Sequence, residues 1–126
     1  MIRVVLVDDQ PAVRVGLRMR LALEPDVTVV GEANDGKTAL DLVTALAPDV
    51  VVMDVAMPGM DGVTATTRLR SLAPLSAVVM LSIHDDLATR QRALTAGALA
   101  FVGKHEAGEA LPDAIRRASA GGRSRA

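Results

Sequence analysis

Five short apolar runs, at residues 4–7, 27–30, 50–53, 77–81 and 99–102, divide the chain at near-regular intervals. None of them alternates with polar residues. Each therefore reads as a strand buried on both faces, which is the pattern of a parallel sheet rather than of a half-solvated antiparallel one. Between the runs lie segments with helical spacing. Val13, Leu17 and Leu21 form one stripe, with Pro11 suited to a first helical turn. Ala39, Leu40, Val43, Leu46 and Ala47 form a second, and Leu111, Ala114, Ile115 and Ala118 the last. Segments 62–72 and 86–96 are less cleanly amphipathic, but their length and position favour helices. The pattern predicts an α/β domain: a five-stranded parallel sheet of order 2-1-3-4-5, right-handed connections and helices on both faces.

A chain of 126 residues accommodates one such domain with a full core. Half of its residues are hydrophobic, yet Phe101 is the only aromatic, so the core has to be aliphatic. A net charge of -1 gives no global pull toward nucleic acid or an acidic membrane. Without cysteine there are no disulfides or thiolate metal sites, which suits a reducing compartment. The run at 4–7 ends in Asp8 and Asp9 and is too short for a signal peptide or a membrane span. The expectation is a soluble cytoplasmic domain over residues 1–120. The remaining Gly-Gly-Arg-Ser-Arg-Ala, 121–126, has linker composition and is expected to fray. Arg116, Arg117, Arg123 and Arg125 read as a solvated helix end favoured by the helix dipole, not as a nucleic-acid patch, because no recognition helix accompanies them.

The chemistry lies in the residues directly after each strand. Asp8 and Asp9 come after the first, Asp54 after the third, Ser82 after the fourth and Lys104 after the fifth. Only the second, an edge strand in this order, lacks such a residue. The carboxyl ends of parallel strands share one rim, so three acids, a hydroxyl and an ammonium converge there. Three carboxylates stay ionised together only around a cation. Oxygen donors without Cys or His point to Mg²⁺, or Mn²⁺ in its place, rather than zinc. A hard cation, a nucleophilic carboxylate, a Lys and a hydroxyl suit phosphoryl transfer. Asp54 is the best nucleophile, because the adjacent pair Asp8 and Asp9 has the look of metal anchors.

The segments Val7-Asp8-Asp9, Met53-Asp54, Met57-Pro58-Gly59-Met60-Asp61-Gly62, Leu81-Ser82 and Gly103-Lys104 resemble the receiver domain of bacterial two-component response regulators over roughly residues 2–119. Local phrases such as Val30-Gly31-Glu32-Ala33, Leu81-Ser82-Ile83-His84-Asp85-Asp86 and Ala96-Gly97-Ala98 are similar to its NarL/FixJ branch. The resemblance implies a flavodoxin-like (βα)5 fold in which Asp54 accepts a phosphoryl group from a sensor histidine kinase or a small donor such as acetyl phosphate. It implies direct Mg²⁺ ligation by Asp9 and Asp54, help from Asp8 through water, and completion by the Ala56 backbone carbonyl. Lys104 and Ser82 would contact the phosphoryl oxygens, and Phe101 would stand at the switch aromatic. Ala56 and His84 would tune the lifetime of the phosphoryl bond; Ala56 cannot activate water, which suggests slow self-dephosphorylation. Such a domain is a phosphoacceptor rather than a turnover enzyme. Its relatives usually carry a LuxR-type DNA-binding domain after the receiver, so the implied output is homodimerisation or transcription control, with no nucleic-acid or membrane contact by this chain. Strand 5 and its flanking helices would form the interface. The family often has Lys-Pro with a cis bond. Lys104 is followed by His105 here, where a cis bond costs about 3–4 kcal/mol, and the sequence leaves that isomer open.

Competing readings fare worse. Residues 31–38, Gly-Glu-Ala-Asn-Asp-Gly-Lys-Thr, satisfy the P-loop pattern and would make this a small nucleotidase with Asp54 on a Walker B strand. However, Glu32 and Asp35 would place negative charge in a phosphate cradle, and Asp8, Asp9, Ser82 and Lys104 would be left without a role. A phosphatase of the haloacid dehalogenase type would need an acid where Ala56 stands. A flavin carrier would need aromatics and a loop after strand 1 that tolerates phosphate. A pseudo-receiver that acts only as an interaction module is the remaining alternative.

Overall fold

In the computed structural model, which describes residues 1–84 and 86–124, the five apolar runs are the five strands. They are β1 (Ile2–Val7), β2 (Val27–Ala33), β3 (Val50–Asp54), β4 (Ala77–Ser82) and β5 (Ala100–Gly103). All pair in parallel in the order β2-β1-β3-β4-β5. The helices α1 (Pro11–Leu21), α2 (Gly36–Leu46), α3 (Gly62–Leu72), α4 (Leu87–Ala96) and α5 (Ala107–Ser124) alternate with them, and a short 3₁₀ turn, Lys104–Glu106, precedes α5.

Alternation along the strands sorts the core into two layers. Val5, Val7, Val51, Met53, Val78 and Met80 face α2, α3 and α4. Val4, Leu6, Val50, Val52, Val79 and Leu81 face α1 and α5. Both faces are thus buried, as the unbroken apolar runs require. Leu111, Ala114, Ile115 and Ala118 all lie in the second layer. Three helices start alike: Asp35, Asp61 and Asp86 are N-caps whose carboxylates accept the amides of Thr38, Thr64 and Thr89. α1 has no side-chain cap and instead begins with Pro11.

Two boundaries differ from those the spacing predicts. Ala47 does not extend the α2 stripe; it is the exposed C-cap at φ 47°, in the left-handed region, and its carbonyl accepts a hydrogen bond from Arg3. α5 runs on to Ser124 rather than ending near Ala120, while residues 125 and 126 lie outside the described residues. No described peptide bond is cis, Lys104-His105 included. No helix among the described residues is long and apolar enough to cross a membrane.

Candidate functional site

Strand register determines where the site forms. Val7, Met53, Met80 and Phe101 pair across the sheet in one row, so Asp8 and Asp54 each lie one residue beyond it, Ser82 two and Lys104 three. The chain has to leave β3 sharply to keep this rim open. Pro58-Gly59 makes the turn, with Gly59 at φ 75°. Gly62 then opens α3 so close to β3 that a Cβ there would lie 2.0 Å from the Asp54 carbonyl oxygen. Sequence reasoning gives Gly62 no role of its own. The signal it carries is a glycine at the first residue of a helix, directly after an Asp cap.

One carboxylate oxygen from each of Asp8, Asp9 and Asp54 falls within a single 4.8 Å cluster. Lys104 Nζ lies 2.9 Å from Asp8 Oδ2 and 3.3 Å from Asp54 Oδ1. Asp8 and Asp54 are buried and Asp9 is half-buried. Asp8 Oδ1 accepts the Gln10 amide at 2.9 Å, and the Asp8 carbonyl accepts from Arg14 at 2.6 Å. Nothing in the sequence pattern singles out Arg14; it braces the loop that carries both aspartates. Asp8 Oδ2 has no directed hydrogen bond and only the off-axis ion pair with Lys104. Asp54 Oδ1 accepts the Ala56 amide at 3.3 Å.

Burial, with the Asp8 charge second, pushes the Asp54 carboxyl up to about 6, against the opposing pull of Lys104 and the Ala56 amide. Burial alone would lower the Lys104 ammonium, but its contacts with Asp8 and Asp54 outweigh that and leave it raised. The three-acid cluster is therefore met by one ammonium, which reaches two of its members, Asp8 and Asp54. A buried oxygen without a directed partner, in an all-oxygen set, fits a hard divalent cation such as Mg²⁺.

The other nominated residues take flanking places. Ser82 is buried, and its Oγ accepts the His84 amide at 2.9 Å; the His84 side chain is exposed. Phe101 packs against the first core layer, with the Arg90 guanidinium 4.9 Å from its ring centroid. Arg90 thus adds a cation–π contact at the position that the resemblance assigns to the switch aromatic. Arg116 is a second departure. Rather than a solvated cation it binds Glu24, Asp26 and Asp113. Arg117 is exposed, and the side chains of Arg123 and Arg125 lie outside the described residues. The P-loop pattern dissolves, because Gly31, Glu32 and Ala33 are strand residues, Glu32 pairs with Arg14 and Arg18, and Asp35 occupies the Thr38 amide.

The family model described as "Response regulator receiver domain" matches residues 4–116. The chain belongs to this family. It is 43% identical over 122 residues to the transcriptional regulatory protein LiaR of Bacillus subtilis (strain 168), covering 96% of this chain and 57% of that protein. The chain thus spans about half the length of the curated relatives it matches. A crystal structure of a LuxR-family two-component response regulator from Aurantimonas sp. SI85-9A1 superposes with a TM-score of 0.92 at 36% identity, covering 96% of this receiver and 86% of that chain. The isolated receiver domain of RcsB from Salmonella enterica serovar Typhimurium, solved in the presence of the phosphomimetic BeF3-, matches with a TM-score of 0.84 at 28% identity, covering 91% and 86%. The acidic cluster of this receiver is of the kind at which the family binds Mg²⁺, and the family implies a histidine kinase partner.

Proposed function

We propose that Asp54 is the phosphoacceptor of this receiver, and that a sensor histidine kinase or a small phosphodonor supplies the phosphoryl group. The observation that carries the reading is the environment of Asp54: a buried carboxylate held at 3.3 Å by both Lys104 and the Ala56 amide, beside Asp8 and Asp9. Asp9 and Asp54 would hold Mg²⁺, with Asp8 assisting and the Ala56 carbonyl completing the set. When bound, the ion neutralises charge on the transferring phosphoryl group. This chain's own residues do the rest. Lys104 and the Ala56 amide lie where they hold phosphoryl oxygens, and the Ser82 hydroxyl can exchange its His84 amide for the same group. Ala56 presents only a methyl, so no side chain there positions a hydrolytic water and the phosphoryl group is retained.

Phosphorylation adds charge and acceptor oxygens, biasing a two-state surface at α4 and β5. In this reading the surface controls homodimerisation or a LuxR-type DNA-binding domain lying beyond residues 1–120 of a longer cytoplasmic regulator of transcription. LiaR, a transcriptional regulatory protein of which this match covers 57%, and the RcsB receiver solved in the presence of phosphomimetic BeF3- support it. The test is to incubate the chain with Mg²⁺ and acetyl phosphate, or with beryllofluoride, and record intact mass and amide spectra. A mass gain of one phosphoryl group that disappears in Asp54→Asn is expected. Labelling that persists in that variant, or no response at all, would sink the reading.

A further inference from the structure

The segments after β3 and β4 enclose a cleft of about 500 Å³, lined in part by Ala56, Pro58, Asp61, His84, Thr89 and Arg92. The cleft adjoins the acidic site. The Ala56 amide that opens it donates to Asp54 Oδ1, and the His84 amide on its other wall donates to Ser82 Oγ. Arg92 is the only permanent cation among the described residues of this lining. Its guanidinium is more than half exposed and lies 3.9 Å from the Asp61 carboxylate, too long and too solvated a pair to hold it firmly. Lys104, by contrast, is committed to Asp8 and Asp54 on the inner side. Phosphoryl transfer to Asp54 is an in-line displacement, so the leaving group departs away from the attacking carboxylate oxygen. The cleft lies between the segments that follow Asp54 and Ser82, beside the Ala56 amide that donates to Asp54 Oδ1.

We propose that this cleft receives the leaving group of a small phosphodonor, and that Arg92 makes the receiver selective for acyl phosphates, whose leaving group is a carboxylate. The inference rests on Asp54 being the phosphoacceptor. In the step, an Asp54 oxygen bonds to phosphorus as the bond from phosphorus to the acyl oxygen breaks. The electron pair and negative charge leave with the carboxylate, which takes no proton, and Arg92 meets that growing charge. The acid of this lining among the described residues is Asp61, so without Arg92 the departing anion would meet a carboxylate with no permanent cation beside it. With phosphoramidate protonated on nitrogen, the bond from phosphorus to nitrogen breaks and neutral ammonia leaves. The guanidinium then has no anion to stabilise.

The experiment compares labelling rates of the chain with Mg²⁺ and acetyl phosphate against phosphoramidate, followed by intact mass. In Arg92→Gln the ratio of the acetyl phosphate rate to the phosphoramidate rate is expected to fall about two- to fivefold, the range for an exposed charge pair. Arg92→Lys is expected to restore most of it. Asp61→Asn, which can still cap α3 but no longer competes for Arg92, is expected to move the ratio the other way. Beryllofluoride has no leaving group and should bind Arg92→Gln with affinity within about twofold of the unaltered chain, which separates a contact with the leaving group from general damage to the site. An unchanged ratio in Arg92→Gln, or equal loss with both donors, overturns the inference. Absence of labelling in the unaltered chain by either donor removes the phosphoacceptor reading, and this inference with it.

Discussion

The two rims of the sheet treat their aspartates in opposite ways. At the amino ends of the strands, Asp26 is half-exposed and held by Arg116, whose hydrogen bonds draw its carboxyl down to about 2. The same guanidinium holds Glu24 and Asp113; the Arg3 backbone amide donates to Asp49, and its guanidinium to the carbonyls of Leu46 and Ala47. At the carboxyl ends, burial raises Asp54 to about 6, and the Lys104 ammonium pairs with two acids, Asp8 and Asp54, of a three-acid cluster. The acids named at the amino rim have donors beside them, whereas the three-acid cluster of the carboxyl rim is short of positive charge. In the proposed reading, a site that attracts a cation and then a phosphoryl group is left unfinished by its own chain, and the opposite rim has no such requirement.

Four substitutions bear on that contrast. Lys104→Met removes the cation paired with Asp8 and Asp54 and is expected to slow labelling by acetyl phosphate by about 10²–10³-fold, as for loss of a principal electrostatic contact. A rate within threefold of the unaltered chain would mean that the rim does not depend on Lys104. Gly62→Ala forces a Cβ against the Asp54 carbonyl and should destabilise the fold by about 3 kcal/mol in urea titration. An unshifted midpoint would show that α3 need not approach β3 so closely.

Asp54→Asn relieves the unpaired charge and should stabilise the metal-free protein by about 2 kcal/mol at pH 7. The sign comes from the raised carboxyl. Folded Asp54 holds its proton more tightly than the unfolded chain does, so its cost is full above about pH 6 and vanishes as pH falls below 3.8. The gap between the two proteins in EDTA should therefore close at low pH; a gap that widens there would reverse the assignment. The smallest effect belongs to the amino rim. Arg116→Met should lower the unfolding midpoint modestly, and less so in high salt. The depressed Asp26 carboxyl means that this contribution is present above pH 3.8 and is lost as pH falls toward 2. Insensitivity to both salt and pH would mean that the arginine acts by packing alone.

Much of this molecule was legible in its residues. Unbroken apolar runs can only be strands covered on both faces, and parallel strands share a rim, so Asp8, Asp9, Asp54 and Lys104 were bound to meet. The helix end at Ala47 was not legible, because apolar spacing continues through a residue whose backbone has already turned left-handed. Nor was the closeness of α3 to β3, which a glycine permits but does not announce.

Sequence by itself determined which residues stand at strand ends, because burial periodicity is a local property that every run carries. Tertiary structure alone decided the charge balance at each rim. Arg116 finds Asp26 from 90 positions away, and Arg90 reaches Phe101 only because α4 packs over β5. Whether an aspartate is drawn down by a guanidinium or pushed up by burial depends on distances of a few ångströms, and spacing along the chain does not encode them.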